Sequence, residues 1–236
     1  MPRSLVIIPT YNEKENIIRI ITTVLGLDST LEILIVDDGS PDGTGSLIKS
    51  EQKLTKRLHL IERSGKLGLG TAYITGFKWG LAQGFDLLIE MDADFSHPPS
   101  KIIELIKACE DGADIAIGSR YIKGGKVIDW PWGRLFLSYG ASLYVRMITG
   151  MPVKDPTAGF VCYKRAVLDH LDLDGIRFVG YAFQIEMKYK SWAQGFKIKE
   201  IPITFTDRIA GTSKMHGSIV KEAALGVIKL RFASSV

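Results

Sequence analysis

A chain of 236 residues, 46% hydrophobic and 24% charged, has the composition of an ordinary globular protein and enough length to bury one large core. Its 30 Lys and Arg against 26 Asp and Glu leave +4, too small an excess to signal nucleic-acid binding but compatible with an anionic substrate or a membrane surface. Cys109 and Cys162 have no metal-ligand spacing and read as free thiols of a reducing compartment; neither a secretory leader before Leu5 nor a bilayer-spanning run of ~18 apolar residues is expected.

The first half alternates strand and helix. Leu5–Ile8 reads as a strand ending in Pro9-Thr10-Tyr11-Asn12-Glu13, with Asn12 placed to cap the helix marked by Ile17, Ile18, Ile21, Val24 and Leu25. Ile33–Val36 is a buried strand that ends in Asp37-Asp38-Gly39-Ser40-Pro41-Asp42-Gly43-Thr44. A helix around Ser46–Lys53 and a strand at Leu58–Ile61 follow. The glycine-rich stretch Arg63–Thr71 then opens a helix ending near Gly84. It lacks the full dinucleotide fingerprint and the Gly-Lys-Ser/Thr of a P-loop, so it is either a helix start near phosphates or a plain tight turn.

Strand Phe85–Met91 ends in Asp92-Ala93-Asp94, helix Ile102–Cys109 follows, and Asp114–Gly118 makes one more strand. This rhythm predicts an α/β fold with a doubly wound, mostly parallel sheet flanked by helices. Ligands of such sheets gather beyond the carboxyl ends of the strands. Carboxylates there suit Mg²⁺ or Mn²⁺, which would neutralise a diphosphate. Asp92 and Asp94 are the candidate metal ligands, although Asp94 or Ser96 can instead cap the next helix. Asp37 and Asp38 on the same edge favour the metal reading, since clustered carboxylates repel unless a cation or proton intervenes. None of the four histidines pairs with a nucleophile, and His97 reads as a solvent-facing loop residue.

The second half breaks the rhythm. Val127–Pro152 is apolar and aromatic with Arg134 and Arg146 among its aliphatic residues, and its Trp130–Pro152 part fits a pair of short helices packed on the sheet. The mix also suits a membrane–water interface, where Arg134 would hold a lipid phosphate. Phe178–Trp192 looks helical, Phe196–Phe205 looks like a strand with Pro202 limiting its pairing, and Ser218–Phe232 reads as a closing helix. Between them lies a polar, glycine-punctuated loop whose Arg208 and Lys214 can fold over a diphosphate. No repeat or linker divides the chain, so residues 1–236 are expected to form a single domain.

Several of these stretches carry a family resemblance from about Leu5 to Lys214: Pro9–Glu13, Val36–Thr44, Met91–Pro98, Gly118-Ser119-Arg120-Tyr121, Gly180–Met187 and Arg208–Lys214. The chain resembles the polyprenol- (dolichol-) phosphate mannose synthases, inverting GT-A glycosyltransferases of family 2. The resemblance implies GDP-mannose as donor, a polyprenyl or dolichyl phosphate as acceptor, and Mg²⁺ or Mn²⁺ as cofactor. It implies Pro9, Tyr11, Glu13, Asp38 and Ala93 at the nucleotide, with Asp92 and Asp94 at the metal and diphosphate. Arg120, Arg134 and Ser138 would hold the acceptor phosphate, and Arg208 and Lys214 the donor diphosphate. Catalysis would rest on Asp92, Asp94 and Arg120. Some relatives carry Gln where this chain has Ser96. The resemblance also implies a protein peripheral on the cytoplasmic face of a membrane, reaching its lipid through an interfacial surface or an anchoring partner. A family 2 enzyme using UDP-glucose or UDP-GlcNAc, and a non-catalytic nucleotide-sugar-binding subunit, are the rival readings.

Overall fold

A computed structural model describes residues 2–178, 180, 182–207 and 226–232. The chain runs β1 (Ser4–Thr10), α1 (Ile17–Leu25), β2 (Leu31–Asp37), α2 (Thr44–Gln52), β3 (Leu58–Glu62), α3 (Leu69–Ala82) and β4 (Leu87–Glu90). After a 3-10 turn at Pro99–Lys101 come α4 (Ile102–Glu110), β5 (Ile115–Ser119), β6 (Lys126–Ile128) and α5 (Trp132–Thr149). Then follow β7 (Val161–Lys164), α6 (Arg165–His170), α7 (Ala182–Ala193), β8 (Ile198–Pro202) and β9 (Thr204–Thr206), with a helical segment over 226–232.

Seven strands form one sheet in the order β3-β2-β1-β4-β7-β5-β8, and β6 and β9 pair separately in parallel. The central strands read as unbroken apolar runs because both of their faces are covered. Leu5 and Ile7 point into a core with Tyr73, Phe77 and Phe183 from α3 and α7, while Val6 and Ile8 meet Ile17, Ile20 and Ile102 from α1 and α4. That two-residue alternation makes the sheet doubly wound. The expected fold class is therefore present, with one strand of the seven, and the short β6 outside them, not anticipated from the sequence. β7 runs antiparallel to both β4 and β5, wedged between the two parallel blocks.

Other details depart from expectation. Asn12 does not cap α1; it sits at φ 59 and gives its N–H to Ser40 Oγ at 2.9 Å, and the helix begins four residues later beyond Asn16. The Trp130–Pro152 stretch holds one 18-residue helix, α5, rather than two short ones. Only Ser142, Val145 and Thr149 of α5 are buried, whereas Trp132 (76% exposed), Phe136 (72%) and Met147 (71%) stand in solvent. Among the described residues, no helix is long and apolar enough to cross a membrane. Pro202 does not stop pairing, for it lies opposite Ser119; the break falls at Ile203, whose N–H goes to Ser119 O. The closing helix is described only over 226–232, and Arg208 and Lys214 lie outside the described residues.

Candidate active site

Parallel register brings the ends of β1, β2 and β4 to one edge: Thr10 is opposite Asp37, and Ile7 is opposite Glu90. At the β2 end the acidic turn is internally satisfied. Thr10 Oγ1 donates to Asp37 at 2.7 Å, and Ser40 donates to it through both N–H and Oγ. Asp38 is paired with the buried Arg63 guanidinium and also accepts the Leu67 N–H at 3.1 Å. Arg63, in turn, donates to Thr71 Oγ1 and Gly68 O, so it ties the glycine-rich loop to the acidic turn. The cation that offsets Asp38 is thus an arginine, and clustering with Asp37 is not what argues for a metal. Lys66 of the same loop lies 5.0 Å from the Tyr11 ring centroid, and Glu13 donates its N–H to Thr44 Oγ1. Pro9, Tyr11, Glu13 and Asp38 therefore lie at or just beyond the neighbouring ends of β1 and β2.

At the β4 end the chain turns sharply. Ser96 N–H bonds Asp94 Oδ1 at 3.0 Å across Phe95, which is held at φ 61, a left-handed conformation costly for a bulky residue. Asp94 is 7% exposed, and the Asp92 side chain is 39% exposed. Tyr73 Oη donates to Asp92 Oδ1 at 3.3 Å. His97 is not a solvent-facing loop residue. It is 3% exposed, stacks on Phe160 at 5.2 Å, and its Nδ1 accepts the Asp92 N–H at 3.1 Å, which puts the ring proton on Nε2. Histidine here fixes the backbone of the acidic turn.

Asp92, Asp94, Arg120, Arg134 and Ser138 line one cavity of about 400 Å³, together with His97 and Gln184. Its remaining wall is largely apolar, built from Leu137, Ala141, Tyr144 and Val145 of α5 with Trp130, Ile203 and Phe205. Arg120 enters from the end of β5, where Asp155 receives its backbone N–H (2.9 Å), its Nε (2.7 Å) and one Nη (2.7 Å). Thr157 Oγ1 accepts a further Nη bond, and the Trp130 and Phe205 rings lie 5.7 and 5.4 Å from the guanidinium carbon. Burial alone would raise the Asp155 pKa, but the Arg120 charge and its hydrogen bonds together hold it below the ordinary value. Arg134 lies over the Trp130 ring at 3.9 Å and bonds both oxygens of Asp207 at 3.1 Å. Tyr121 Oη donates to Ser138 Oγ at 2.7 Å.

Beneath the cavity lies a buried polar set. Gln184 Nε2 donates to Glu90 Oε2 at 2.8 Å, and Lys188 Nζ donates to Gln184 Oε1 and Ala158 O. Burial pushes Glu90 up to about 8 and Lys188 down to about 8, and the attraction between the two opposes both shifts. Sequence reading missed Arg63, Tyr73, Asp155 and Lys188, which act on the site only through other side chains and carry no local motif.

Among the described residues, no three His, Cys, Asp or Glu side chains converge as a metal cluster. Asp92 and Asp94 still fit a hard divalent cation, because sites that meet substrate phosphates commonly use one or two carboxylates with water and phosphate completing the shell.

The glycosyl transferase family 2 model matches residues 5–172. The chain is 49% identical over 227 residues to the polyprenol monophosphomannose synthase of Mycolicibacterium smegmatis, covering 95% of this chain and 85% of that one. It is 43% identical over 232 residues to the undecaprenyl-phosphate mannosyltransferase of Micrococcus luteus, covering 98% and 95%. Its fold is similar to that of glucosyl-3-phosphoglycerate synthase from Mycobacterium tuberculosis in complex with Mn²⁺, UDP and glucosyl-3-phosphoglycerate. That match has a TM-score of 0.70 at 17% identity, covering 98% of this chain and 79% of that one. It is also similar to a mannosyltransferase from Pyrobaculum calidifontis in complex with GDP-Man and Mn²⁺, with a TM-score of 0.65 at 18% identity, covering 99% and 64%. A doubly wound GT-A sheet with acidic turns at its strand ends thus goes with both sequence matches, and the chain belongs to glycosyl transferase family 2.

Proposed function

We propose that this protein transfers mannose from GDP-mannose to a polyprenyl or dolichyl monophosphate, giving a β-mannosyl phospholipid and GDP with inversion at the anomeric carbon. The observation that carries this reading is the shared cavity, in which two carboxylates and two arginines meet beside an apolar helical wall. A phosphate on an isoprenoid chain has both of the chemistries that this wall offers. The names of the two relatives, a polyprenol monophosphomannose synthase and an undecaprenyl-phosphate mannosyltransferase, support it.

An alkyl phosphate has a second pKa of ~6, so at neutral pH the acceptor is already largely a dianion and needs no general base. That suits a cavity whose histidine, His97, is occupied in holding the backbone of the acidic turn. Arg120 and Arg134 hold the dianion, with Ser138 beside them, so that the phosphate oxygen is oriented toward the anomeric carbon. Pro9, Tyr11, Glu13, Asp38 and Ala93 line the nucleotide side, and Arg208 and Lys214 meet the donor diphosphate. Asp92 and Asp94 hold Mg²⁺ or Mn²⁺, which when bound offsets the charge of the departing diphosphate.

In this reading residues 1–236 act as one catalytic domain, peripheral on the cytoplasmic face of a membrane, with or without an anchoring partner. The exposed Trp132, Phe136 and Met147 of α5 meet the lipid, next to the helix face that lines the cavity. The test is transfer of radiolabelled sugar to a polyprenyl phosphate in detergent, comparing GDP-mannose with UDP-glucose and UDP-GlcNAc, with and without Mg²⁺ or Mn²⁺. Metal-dependent label in the lipid phase from GDP-mannose alone is expected. Label from a UDP-sugar instead would replace the donor, and no lipid product from any of them would refute the reading.

A further inference from the structure

The Phe183-Gln184-Ile185-Glu186-Met187 run at the start of α7 still lacks a chemical role. Two of its members are structural. Phe183 stacks on Tyr73 at 6.1 Å, and Glu186 Oε2 accepts the N–H groups of Arg177 and Phe178 at 2.9 and 3.1 Å. Gln184 is different: it is 2% exposed yet lines the cavity shared by Asp92, Asp94 and Arg120.

The direction of its amide follows from its neighbours. Lys188 Nζ has three acceptors, Ala158 O at 2.6 Å, Gln184 Oε1 at 2.9 Å and Gln184 O at 3.2 Å, which uses all three hydrogens of an ammonium group. An ammonium can only donate, so Gln184 must turn its oxygen toward Lys188. Its nitrogen then faces Glu90, and one N–H goes to Glu90 Oε2 at 2.8 Å. The second N–H of that nitrogen has no protein acceptor among the described residues. A fully buried lysine and a fully buried glutamate are expensive to keep in a core that apolar residues could fill. What the pair secures is one orientation of a cavity-lining amide.

We propose that Gln184 gives its second N–H to a substrate phosphate oxygen, and that Lys188 and Glu90 are positioning residues that present N–H rather than C=O to it. The proposal rests on the mannosyl-transfer reading. The phosphate is either the acceptor monophosphate or the donor diphosphate, which share this chemistry and are separated by the test below. A neutral donor is well matched to the place: it binds an oxyanion without adding charge beside Asp92 and Asp94.

The experiment compares wild type, Gln184→Met, Gln184→Glu, Lys188→Met and the Gln184→Met/Lys188→Met double variant. Each is assayed for transfer across acceptor and donor concentrations, with its thermal midpoint measured alongside. Gln184→Met is expected to lower kcat/KM by at least about tenfold, as for a lost hydrogen bond to a charged group. Gln184→Glu, which keeps the shape and, when ionised beside Lys188, can only accept, is expected to lose no less at a pH where that carboxyl is ionised. Lys188→Met is expected to lower kcat/KM as well, and the double variant to be no worse than Gln184→Met, because Lys188 acts through the amide. A rise in acceptor KM assigns the contact to the acceptor phosphate, and a rise in donor KM assigns it to the diphosphate. Folded Gln184→Glu within about threefold of wild type, or additive losses in the double variant, would overturn the proposal. If Lys188→Met does not fold, the two Gln184 variants decide. A wild-type protein inactive with every donor defeats the mannosyl-transfer reading, whereas an active wild type with unaffected Gln184 variants defeats this proposal alone.

Discussion

Asp155→Ala isolates a fully buried charge that holds Arg120 in the site. Asp155 is fully buried, Arg120 has only 9% of its side chain exposed, and three hydrogen bonds at 2.7 to 2.9 Å join them. Truncating the carboxylate leaves the guanidinium among aromatic rings with Thr157 Oγ1 as a remaining partner. Breaking a buried ion pair in this one-sided way typically costs ~3–5 kcal/mol. Set against a stability of ~5–15 kcal/mol for a natural domain, that loss is a large share of the total, and the variant should show a much lower denaturation midpoint. Asp155→Asn keeps the volume and one acceptor oxygen and falls between the two.

The pH dependence has a definite sign. Because Arg120 holds the folded-state pKa of Asp155 below the ordinary value of 3.8, the carboxylate's contribution is present above that value and disappears as pH falls through the folded pKa. The gap between wild type and Asp155→Ala in urea unfolding should therefore be full at pH 7 and narrow in strong acid. Acceptor KM should rise while donor KM stays near its wild-type value, since Arg120 loses its fixed direction. A stability loss at pH 7 below about 1 kcal/mol, the range of exposed pairs, would refute the reasoning. So would a gap that stays undiminished at low pH.

Arg134→Ala should raise acceptor KM by roughly tenfold or more, the weight of a charge-assisted bond to phosphate, and leave donor binding alone; equal effects on both substrates would return Arg134 to a structural role. Two glycines should respond oppositely to alanine in thermal unfolding. At Gly76 a Cβ would fall 2.5 Å from Ile7 Cγ2 on a buried strand, costing ~1–3 kcal/mol. At Gly140 of α5 nothing lies within 4 Å, and alanine should stabilise by ~0.5–1 kcal/mol through helix propensity. Phe136→Ser, at a position 72% exposed, should weaken sedimentation with phospholipid vesicles without altering the thermal midpoint; unchanged vesicle binding would detach α5 from the membrane.

How much of this was legible in the sequence depended on whether a signal was local. Leu5–Ile8 and Ile33–Val36 are continuous apolar runs covered on both faces, and such runs announce buried parallel strands wherever they fall. β7 gives no comparable signal: Val161–Lys164 is four residues long, and its direction is set by neighbours on β4 and β5 that are far away in the chain. His97 shows the same limit from the other side. Its polar, proline-flanked surroundings suggest a surface loop, yet Phe160 and Phe205 enclose the ring and a backbone N–H from Asp92 fixes it. Asp92 and Asp94 were legible as a pair because strand ends converge on one edge by topology alone. Asp155 was not, because its role exists only through Arg120.

The two arginines of the cavity have carboxylate partners of opposite character, and that difference bears on how an anionic substrate can be taken up. Arg120 is locked to a fully buried partner through three hydrogen bonds, so its position is set before any ligand arrives. Arg134 and Asp207 are 28% and 32% exposed at the side chain, so this pair is far more open to solvent than Arg120 and Asp155. In the proposed reading, a phosphate dianion would displace Asp207 at less expense than Asp155, whose displacement would strand a buried carboxylate. In that reading Arg120 would be the fixed reference of the site and Arg134 its more exchangeable contact. Both are kept neutralised in the free protein, so two guanidinium groups can share one small cavity without repelling each other.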